Sequence, residues 1–106
     1  MSSSLYRFIP SANADLEVIW ERIAQENIEA ADRTMHAIFE QVRILAQFPH
    51  AGHSRHDLAL DPSILFSSVE NYLILYRAKP KMIEVVAVLH AARDIPQILR
   101  HRKTPN

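Results

Sequence analysis

The sequence predicts a small α+β fold of order β-α-α-β-β-β, in which a helical hairpin packs on one face of a largely antiparallel sheet. Three observations lead to this prediction. A short strand-forming run near the start of the chain ends at a proline, and two amphipathic helical patterns follow it directly. After a polar loop come three further strand-forming runs, and the last two are separated only by Lys79, Pro80 and Lys81, which indicates a hairpin.

The first strand and the first helix are predicted from the opening residues. The run Leu5–Ile9 is aromatic and aliphatic around a single arginine, and Pro10 ends it, so a strand is expected there. Ser11 is the expected N-cap of the helix that follows. The apolar residues of this helix have the spacing of one helical face, and they are Leu16, Ile19, Trp20, Ile23 and Ala24.

The second helix is predicted from Ile28 to Gln47, with Asn27 as its N-cap, and it would be about 30 Å long at roughly 1.5 Å per residue. So few residues separate the two helices that they are expected to form an antiparallel hairpin. Pro49 is expected to end the second helix, because the residue before a proline is disfavoured in the α region. The apolar stripe of this helix is Ala31, Met35, Ile38, Val42 and Leu45.

Residues 50–63 contain Gly52, the only glycine of the chain, and are expected to form a loop. The last predicted strand is apolar on both faces apart from Glu84, which is typical of a central strand. Residues 95–102 are compatible with either a short final helix or an irregular tail. The three strands expected after the loop are Leu65–Val69, Tyr72–Ala78 and Met82–Leu89.

Length and composition indicate one soluble domain, expected to span residues 1–106. Apolar residues make up 48% of the chain, which is normal for a packed globule. The chain has no cysteine, so it cannot form a disulfide or a thiolate zinc site, and we expect a cytoplasmic location. Neither a signal-peptide pattern nor a membrane-spanning run is present, and no membrane partner is expected.

The formal net charge is zero, but charge is distributed unevenly along the chain. Residues 1–48 contain four arginines and seven acidic residues, whereas residues 49–106 contain eight basic and five acidic residues. A basic C-terminal region can contact nucleic acid or an acidic protein. A pI near 7.0 for the whole chain argues against a general nucleic-acid-binding protein.

Three histidines in the loop, His50, His53 and His56, raise the question of a metal site, because imidazole is a common metal ligand. Their spacing matches no standard zinc motif, and no acidic or thiolate ligand accompanies them. We therefore interpret them as solvent-exposed histidines and predict neither a metal nor a cofactor.

The segment VLHAARD, residues 88–94, is the most informative stretch for function. It places His90 and Arg93 where an apolar strand ends. As a catalytic pair they could move a proton and stabilise a phosphate. As a binding pair, Arg93 would offer a planar fork to a carboxylate or phosphate. A purely structural interpretation, with Arg93 bonded to Asp94 or Glu84, has about equal weight at this point.

The sequence resembles the ParE/RelE toxin superfamily, and in particular the ParE-type toxins of plasmid stabilisation systems. The resemblance extends over nearly the whole chain, and its order and spacing are more specific than any single motif. The motifs that carry it are Ala12–Trp20, Ala30-Ala31, the turn Pro49–Gly52 with Arg55–Leu58 after it, Tyr72–Arg77 and Val88–Asp94.

This resemblance implies the toxin of a type II toxin–antitoxin system with a cognate, ParD-like antitoxin as its partner. In such proteins a helix of the antitoxin packs on the helical hairpin of the toxin, often with an added strand at a sheet edge. Homodimerisation of the free protein through the same apolar face is also compatible with the resemblance. The residues that it implies for antitoxin binding are Leu16, Ile19, Trp20, Ile23, Met35 and Phe39.

The resemblance to ParE-type members further implies inhibition of DNA gyrase by binding, without catalysis. The expected target-binding residues are Arg93, His90, Arg100 and Arg102. The alternative is a RelE-like, ribosome-dependent mRNA endonuclease, for which His90, Arg93 and Arg77 would be the catalytic residues. This alternative is weaker because Ile64, Phe66 and Leu73 stand where the RelE pattern has cations. A degenerate, non-toxic member of the family is the third possibility.

Overall fold

The computed structural model describes residues 5–102, and it has the predicted α+β architecture. Four strands form one sheet in the order β1-β4-β3-β2, with β1 parallel to β4 and the other pairs antiparallel. The elements are β1 (Tyr6–Phe8), α1 (Pro10–Ala24), α2 (Ile28–Gln47), β2 (Leu65–Val69), β3 (Tyr72–Ala78), β4 (Ile83–His90) and α3 (Ile95–His101).

Element boundaries agree with the sequence-based prediction for α2, β2 and β3. Asn27 is the N-cap of α2, and its side chain accepts a hydrogen bond from the Ala30 N–H. The prediction of Ser11 as the cap of α1 is wrong, because α1 already begins at Pro10. Proline suits the first helical position, since it has no N–H that needs a partner and its φ angle is already helical. The segment after residue 94 forms a short helix, capped by the Asp94 side chain.

Strand β4 is the centre of the sheet and is buried on both faces. Leu75 and Ala87 are cross-strand neighbours on one face, Ile74 and Val88 are neighbours on the other, and all four are almost fully buried. The last residue of β4 is His90, one position beyond the predicted end, because β3 still pairs with it there.

The helical hairpin covers one face of the sheet, as predicted. Gln41 of α2 donates a hydrogen bond to the Ser67 hydroxyl (2.9 Å), and Ser67 pairs with Ile74 across β2 and β3. Apolar side chains of both helices complete the core on this face, with Leu16 and Ile38 among them. The helices therefore lie over the same side of the sheet as Ile74.

A β-bulge in β4 changes which backbone groups face the sheet edge. Val86 has no opposite residue in β3. On the N-terminal side of this bulge, Ile83 and Val85 of β4 form backbone hydrogen bonds with the segment that contains β1. The extra residue turns the N–H of Val88 to the same side, where β1 has already ended. The carboxylate of Asp15 in α1 accepts this hydrogen bond at 3.0 Å and so replaces the missing strand.

Asp15 also joins the C-terminal end of α3 to the core. Arg102 donates from Nη1 to Asp15 Oδ2 (2.9 Å) and from Nη2 to Asp15 Oδ1 (2.6 Å), a bidentate pair. The Asp15 side chain is only 7% exposed, and both of its oxygens are satisfied. This ion pair raises the pKa of Arg102, so the guanidinium stays charged. One buried carboxylate therefore holds α1, β4 and the end of α3 together.

The single glycine is required by a close approach of two segments. Tyr76 is fully buried, and its hydroxyl donates to the Pro49 carbonyl (2.8 Å) and accepts from the Gly52 N–H (2.9 Å). A Cβ atom at position 52 would lie 2.5 Å from this hydroxyl oxygen. The turn after α2 is therefore built around the Tyr76 hydroxyl, and a side chain at position 52 would displace it.

Among residues 5–102, no helix is both long enough and apolar enough to cross a bilayer.

We predict that Asp15→Asn lowers the free energy of unfolding by about 2 kcal/mol, because it removes a charged hydrogen-bonded pair. Asparagine can still accept from the Val88 N–H, so the loss reports mainly on Arg102. Urea denaturation followed by circular dichroism measures it. The control is Glu21→Gln on the exposed surface of α1, for which a change below about 0.5 kcal/mol is expected. Equal stability of both variants would contradict the role of Asp15.

We also predict that Gly52→Ala destabilises the protein by about 2 kcal/mol, because Tyr76 is held by two hydrogen bonds and cannot withdraw freely. Where the backbone conformation permits alanine, the same substitution ordinarily stabilises a protein by about 0.4–1 kcal/mol through the unfolded chain. The sign of the change is therefore diagnostic, and thermal denaturation determines it. A variant as stable as the parent would show that the turn relaxes around the added methyl group.

Candidate functional site

His90 and Arg93 lie at one end of the β3–β4 ladder, where β4 turns towards α3. His90 is the partner of Tyr72 in β3, and the Arg93 N–H donates to the His90 carbonyl (3.0 Å) in the following turn. The Arg93 side chain is exposed, and within residues 5–102 it has no acidic partner. Neither the ion pair with Asp94 nor the one with Glu84 that the structural interpretation invoked is therefore present among the described residues. Asp94 caps α3, and Glu84 pairs with other arginines.

The His90 ring is oriented by two contacts. Its Nδ1 accepts a hydrogen bond from the Ala92 N–H at 3.0 Å, and the ring lies edge-on to Tyr72 with 5.3 Å between the ring centres. Because Nδ1 is the acceptor, the proton of the neutral ring resides on Nε2. His90 therefore offers an N–H donor at its free nitrogen.

A cleft opens between α1 and this end of the sheet, with a volume of about 640 Å³. We call it the cationic cleft, because its walls contain the side chains of Arg22, Arg93 and Arg102 together with His90. Its remaining surface is largely apolar and comes from α1 and the sheet, namely Ala14, Val18, Ile19, Val88 and Tyr72.

The cleft has an excess of positive charge. Its only carboxylate among the described residues belongs to Asp15. This carboxylate is neutralised by Arg102, and both of its oxygens already accept hydrogen bonds within the protein. Neither Arg22 nor Arg93 has a carboxylate within ion-pair distance in residues 5–102. The cleft therefore presents hydrogen-bond donors without competing acceptors, an arrangement that suits an oxyanion.

Sequence reasoning did not assign Arg22 or Asp15 to this site. The signal was present in the spacing of α1, because Asp15, Val18 and Arg22 follow one another at i, i+3 and i+7 and so share a helical face. What the spacing could not reveal is that this face borders the end of β4, since that depends on how the hairpin is placed on the sheet.

Arg77, the third residue of the endonuclease alternative, lies elsewhere. It pairs with Asp61 (3.1 Å) and lies 4.0 Å from Glu84, near the other end of the β3–β4 ladder. Arg77 lies five positions after Tyr72 in β3, about 17 Å away at roughly 3.3 Å per residue. The structure therefore does not bring Arg77 together with His90 and Arg93.

The other predicted target-binding residues have different surroundings. Arg102 is engaged by Asp15, so its guanidinium is already bound on one side. Arg100 is exposed and borders a second, more apolar cleft of about 250 Å³, in which Leu58 of the loop and Leu99 of α3 lie near Val86. Arg100 therefore lies outside the cationic cleft.

The six residues expected to bind an antitoxin differ in accessibility. Leu16 and Ile19 belong to the core and have little surface to offer a partner. Trp20 is half-buried, and its Nε1–H donates to Asp32 across the hairpin at 2.9 Å. The other three residues are half-buried or exposed, and they are Ile23, Met35 and Phe39. Their role in antitoxin binding remains a prediction.

The loop histidines are exposed, and His53 forms an isolated backbone bridge with Phe66 of β2. In the part of the chain that the structure describes, no three histidine or acidic side chains come together as a metal site would require.

Comparisons with known proteins agree with the fold. The family model of the ParE toxin of the type II toxin–antitoxin system parDE matches residues 6–95. Among solved structures, a chain described as "Chromosomal ParDE TA system from P. aeruginosa" has a TM-score of 0.67 and 25% sequence identity, over 83% of this chain and 95% of that chain. No curated protein matches the chain. The family match includes His90 and Arg93 and excludes Arg100 and Arg102.

We predict that the contact between Arg77 and Asp61 stabilises the fold less at acid pH. The Ser63 hydroxyl and N–H, together with Arg77, lower the pKa of Asp61 from 3.8 to about 2. Because the folded-state pKa is the lower one, the ionised carboxylate stabilises the fold above pH 4 and loses this effect as the pH falls towards 2. Asp61→Asn should therefore melt below the parent protein at pH 7, and the difference should shrink as the pH falls to 3. A difference in melting temperature that does not change with pH would contradict this.

Proposed function

The chain belongs to the family of ParE toxins of type II toxin–antitoxin systems, and we propose that it inhibits DNA gyrase by binding, with a cognate ParD-like antitoxin as its neutralising partner. The observation that carries the proposal is the exposed Arg93 without an acidic partner, at the rim of the cationic cleft. An arginine that stabilises the fold has a partner in the fold, as Arg102 and Arg77 do. Arg93 remains available for an external ligand.

Binding fits this site better than RNA cleavage. Cleavage at a 2′-hydroxyl requires a base to accept its proton and several cations around the scissile phosphate. In the neutral His90 ring, Nδ1 already accepts from the Ala92 N–H and Nε2 has a proton, so neither nitrogen is free to act as a base. Arg77 is separated from the site by most of β3. The arginines of the cleft can bind an anion, and His90 in this state does not supply the base.

The proposed antitoxin would cover the outer surface of the helical hairpin. Apart from Phe39, three large apolar residues of the hairpin are about half exposed: Val18 at 50%, Ile28 at 59% and Ile44 at 46%. Ile28 and Phe39 are eleven positions apart in α2 and therefore share a helical face, and their exposed side chains offer an apolar surface suited to an amphipathic helix. Val18 of α1 borders the cationic cleft. An antitoxin that extends over α1 to Val18 would lie beside the target-binding residues.

A DNA supercoiling assay with gyrase and the purified, antitoxin-free protein tests the proposal. We expect loss of supercoiling and accumulation of cleaved DNA, because an inhibitor that binds the enzyme–DNA complex interrupts the reaction after strand cleavage. Addition of the antitoxin should restore supercoiling. Folded protein that leaves gyrase unaffected would refute gyrase as the target, and cleavage of translated mRNA by the same preparation would favour the endonuclease alternative.

We predict that Arg93→Ala weakens gyrase inhibition by a factor of about 10 or more, because a charge-assisted hydrogen bond to the target is lost. The stability of the variant should change by less than about 0.5 kcal/mol, since Arg93 is exposed and has no ion-pair partner among the described residues. Inhibition is measured as the protein concentration that halves supercoiling.

Arg33→Ala is the matched control for this variant. Arg33 is an exposed arginine of α2 outside the cationic cleft, and its loss removes the same charge from the protein. Inhibition by the Arg33 variant should equal that of the parent. If both variants inhibit equally well, Arg93 does not contact the target.

A further inference from the structure

The cationic cleft is larger and more apolar than a simple anion site needs to be. We propose that it binds a carboxylate side chain of the target protein, held between Arg22 and Arg93, while the apolar floor of the cleft receives a neighbouring side chain of the same segment. This inference rests on the proposed function and specifies its ligand as an acidic, partly apolar protein segment. It also adds Arg22 to the target-binding residues.

The positive charge of the cleft favours an anionic ligand. Arg22 reaches the cleft from α1 and Arg93 from the turn after β4, so the two guanidinium groups come from separate elements. Both side chains are exposed and neither has an ion-pair partner within residues 5–102. His90 adds a third donor through Nε2, because its Nδ1 is occupied. A carboxylate accepts several such hydrogen bonds and matches the planar fork of arginine.

The apolar part of the cleft favours a protein segment over a free anion. Val18 lines the cleft and is half exposed to solvent, whereas its neighbours Ile19 and Val88 are buried. A phosphate group would satisfy the cations and leave this apolar surface uncovered. A protein segment that places an aliphatic side chain next to an acidic one would use both parts of the cleft, since burial of the apolar area stabilises the complex further.

The surroundings of Arg93 also favour protein over nucleic acid. The depression on the other side of Arg93 contains the carboxylate of Asp94, and its other arginine, Arg102, is already paired with Asp15, so it does not extend a row of unpaired arginines. Nucleic-acid binding depends on a row of cations along the backbone. Here the described cations of the cleft converge on one volume, and the whole chain has no net charge.

The test is direct binding of the full-length protein to purified gyrase without DNA, compared among the parent, Arg22→Gln and Arg33→Gln. We expect the parent to bind without DNA, Arg22→Gln to bind about tenfold more weakly or worse, and Arg33→Gln to bind like the parent. Arg22→Lys retains the charge but loses the planar fork, and it should restore only part of the affinity.

Two results would overturn the inference. If Arg22→Gln and Arg33→Gln bind equally well, Arg22 does not contact the target. If the parent binds gyrase only when DNA is present, with affinity falling steeply as salt increases, the ligand is a phosphate.

A gyrase-independent measurement separates failure of this inference from failure of the proposed function. The isotope-labelled protein is titrated with N-acetyl-leucyl-glutamate and, separately, with inorganic phosphate, and the amide and arginine side-chain resonances are followed by NMR. Shifts at Arg22, His90 and Arg93 that are larger with the peptide support the carboxylate site even if gyrase proves to be the wrong target. Absence of such shifts, or larger shifts with phosphate, would refute it.

Discussion

The buried carboxylate of Asp15 is the interaction on which the arrangement of the rest depends. Strand β1 ends before the second half of β4 is covered, so the N–H of Val88 would have no partner without it. The same carboxylate binds Arg102, 87 positions further along the chain. A partly buried guanidinium and a buried carboxylate are each costly alone, and together they are acceptable because both oxygens of Asp15 accept hydrogen bonds. The pair forms part of the wall of the cationic cleft, whose excess charge comes from Arg22 and Arg93.

Arg77 and Arg93 lie towards opposite ends of the β3–β4 ladder and differ in whether the fold gives them an acidic partner. At one end, Arg77 and Arg7 both lie near Glu84, and Arg77 also reaches Asp61. At the other end, Arg93 has no such partner among the described residues. Cations with internal partners hold strands and loops in place, whereas a cation that the fold leaves unpaired keeps its full capacity to bind an external anion. For this reason we assign target binding to the end of the ladder at which Arg93 lies.

Short-range sequence patterns predicted the elements whose formation depends on residues close together in the chain. The cap at Asn27 and the apolar stripe of α2 defined that helix, and the turn residues after β3 defined the β3–β4 hairpin. The start of α1 was predicted two residues late, because Ser11 is a good N-cap residue but Pro10 is well suited to the first helical position. His90 and Arg93 were recognised because an imidazole and a guanidinium are conspicuous at the end of an apolar strand. Arg22 was not, because an exposed arginine on a helix has nothing conspicuous about it.

The sequence by itself determined the α+β class and the order of the elements, its resemblance over nearly the whole chain identified the family, and it pointed to His90 and Arg93 as candidate site residues. The class and the order follow from spacing and residue type within a few turns or strands of the chain. Only the tertiary structure decided that Arg102 is bound to Asp15, that Arg77 is remote from His90, and that Arg22 and Arg93 line the same cleft. The bulge at Val86 sets the direction of every later backbone group of β4, and the placement of the hairpin sets the neighbours of α1. These are contacts between distant segments, and no local pattern encodes them.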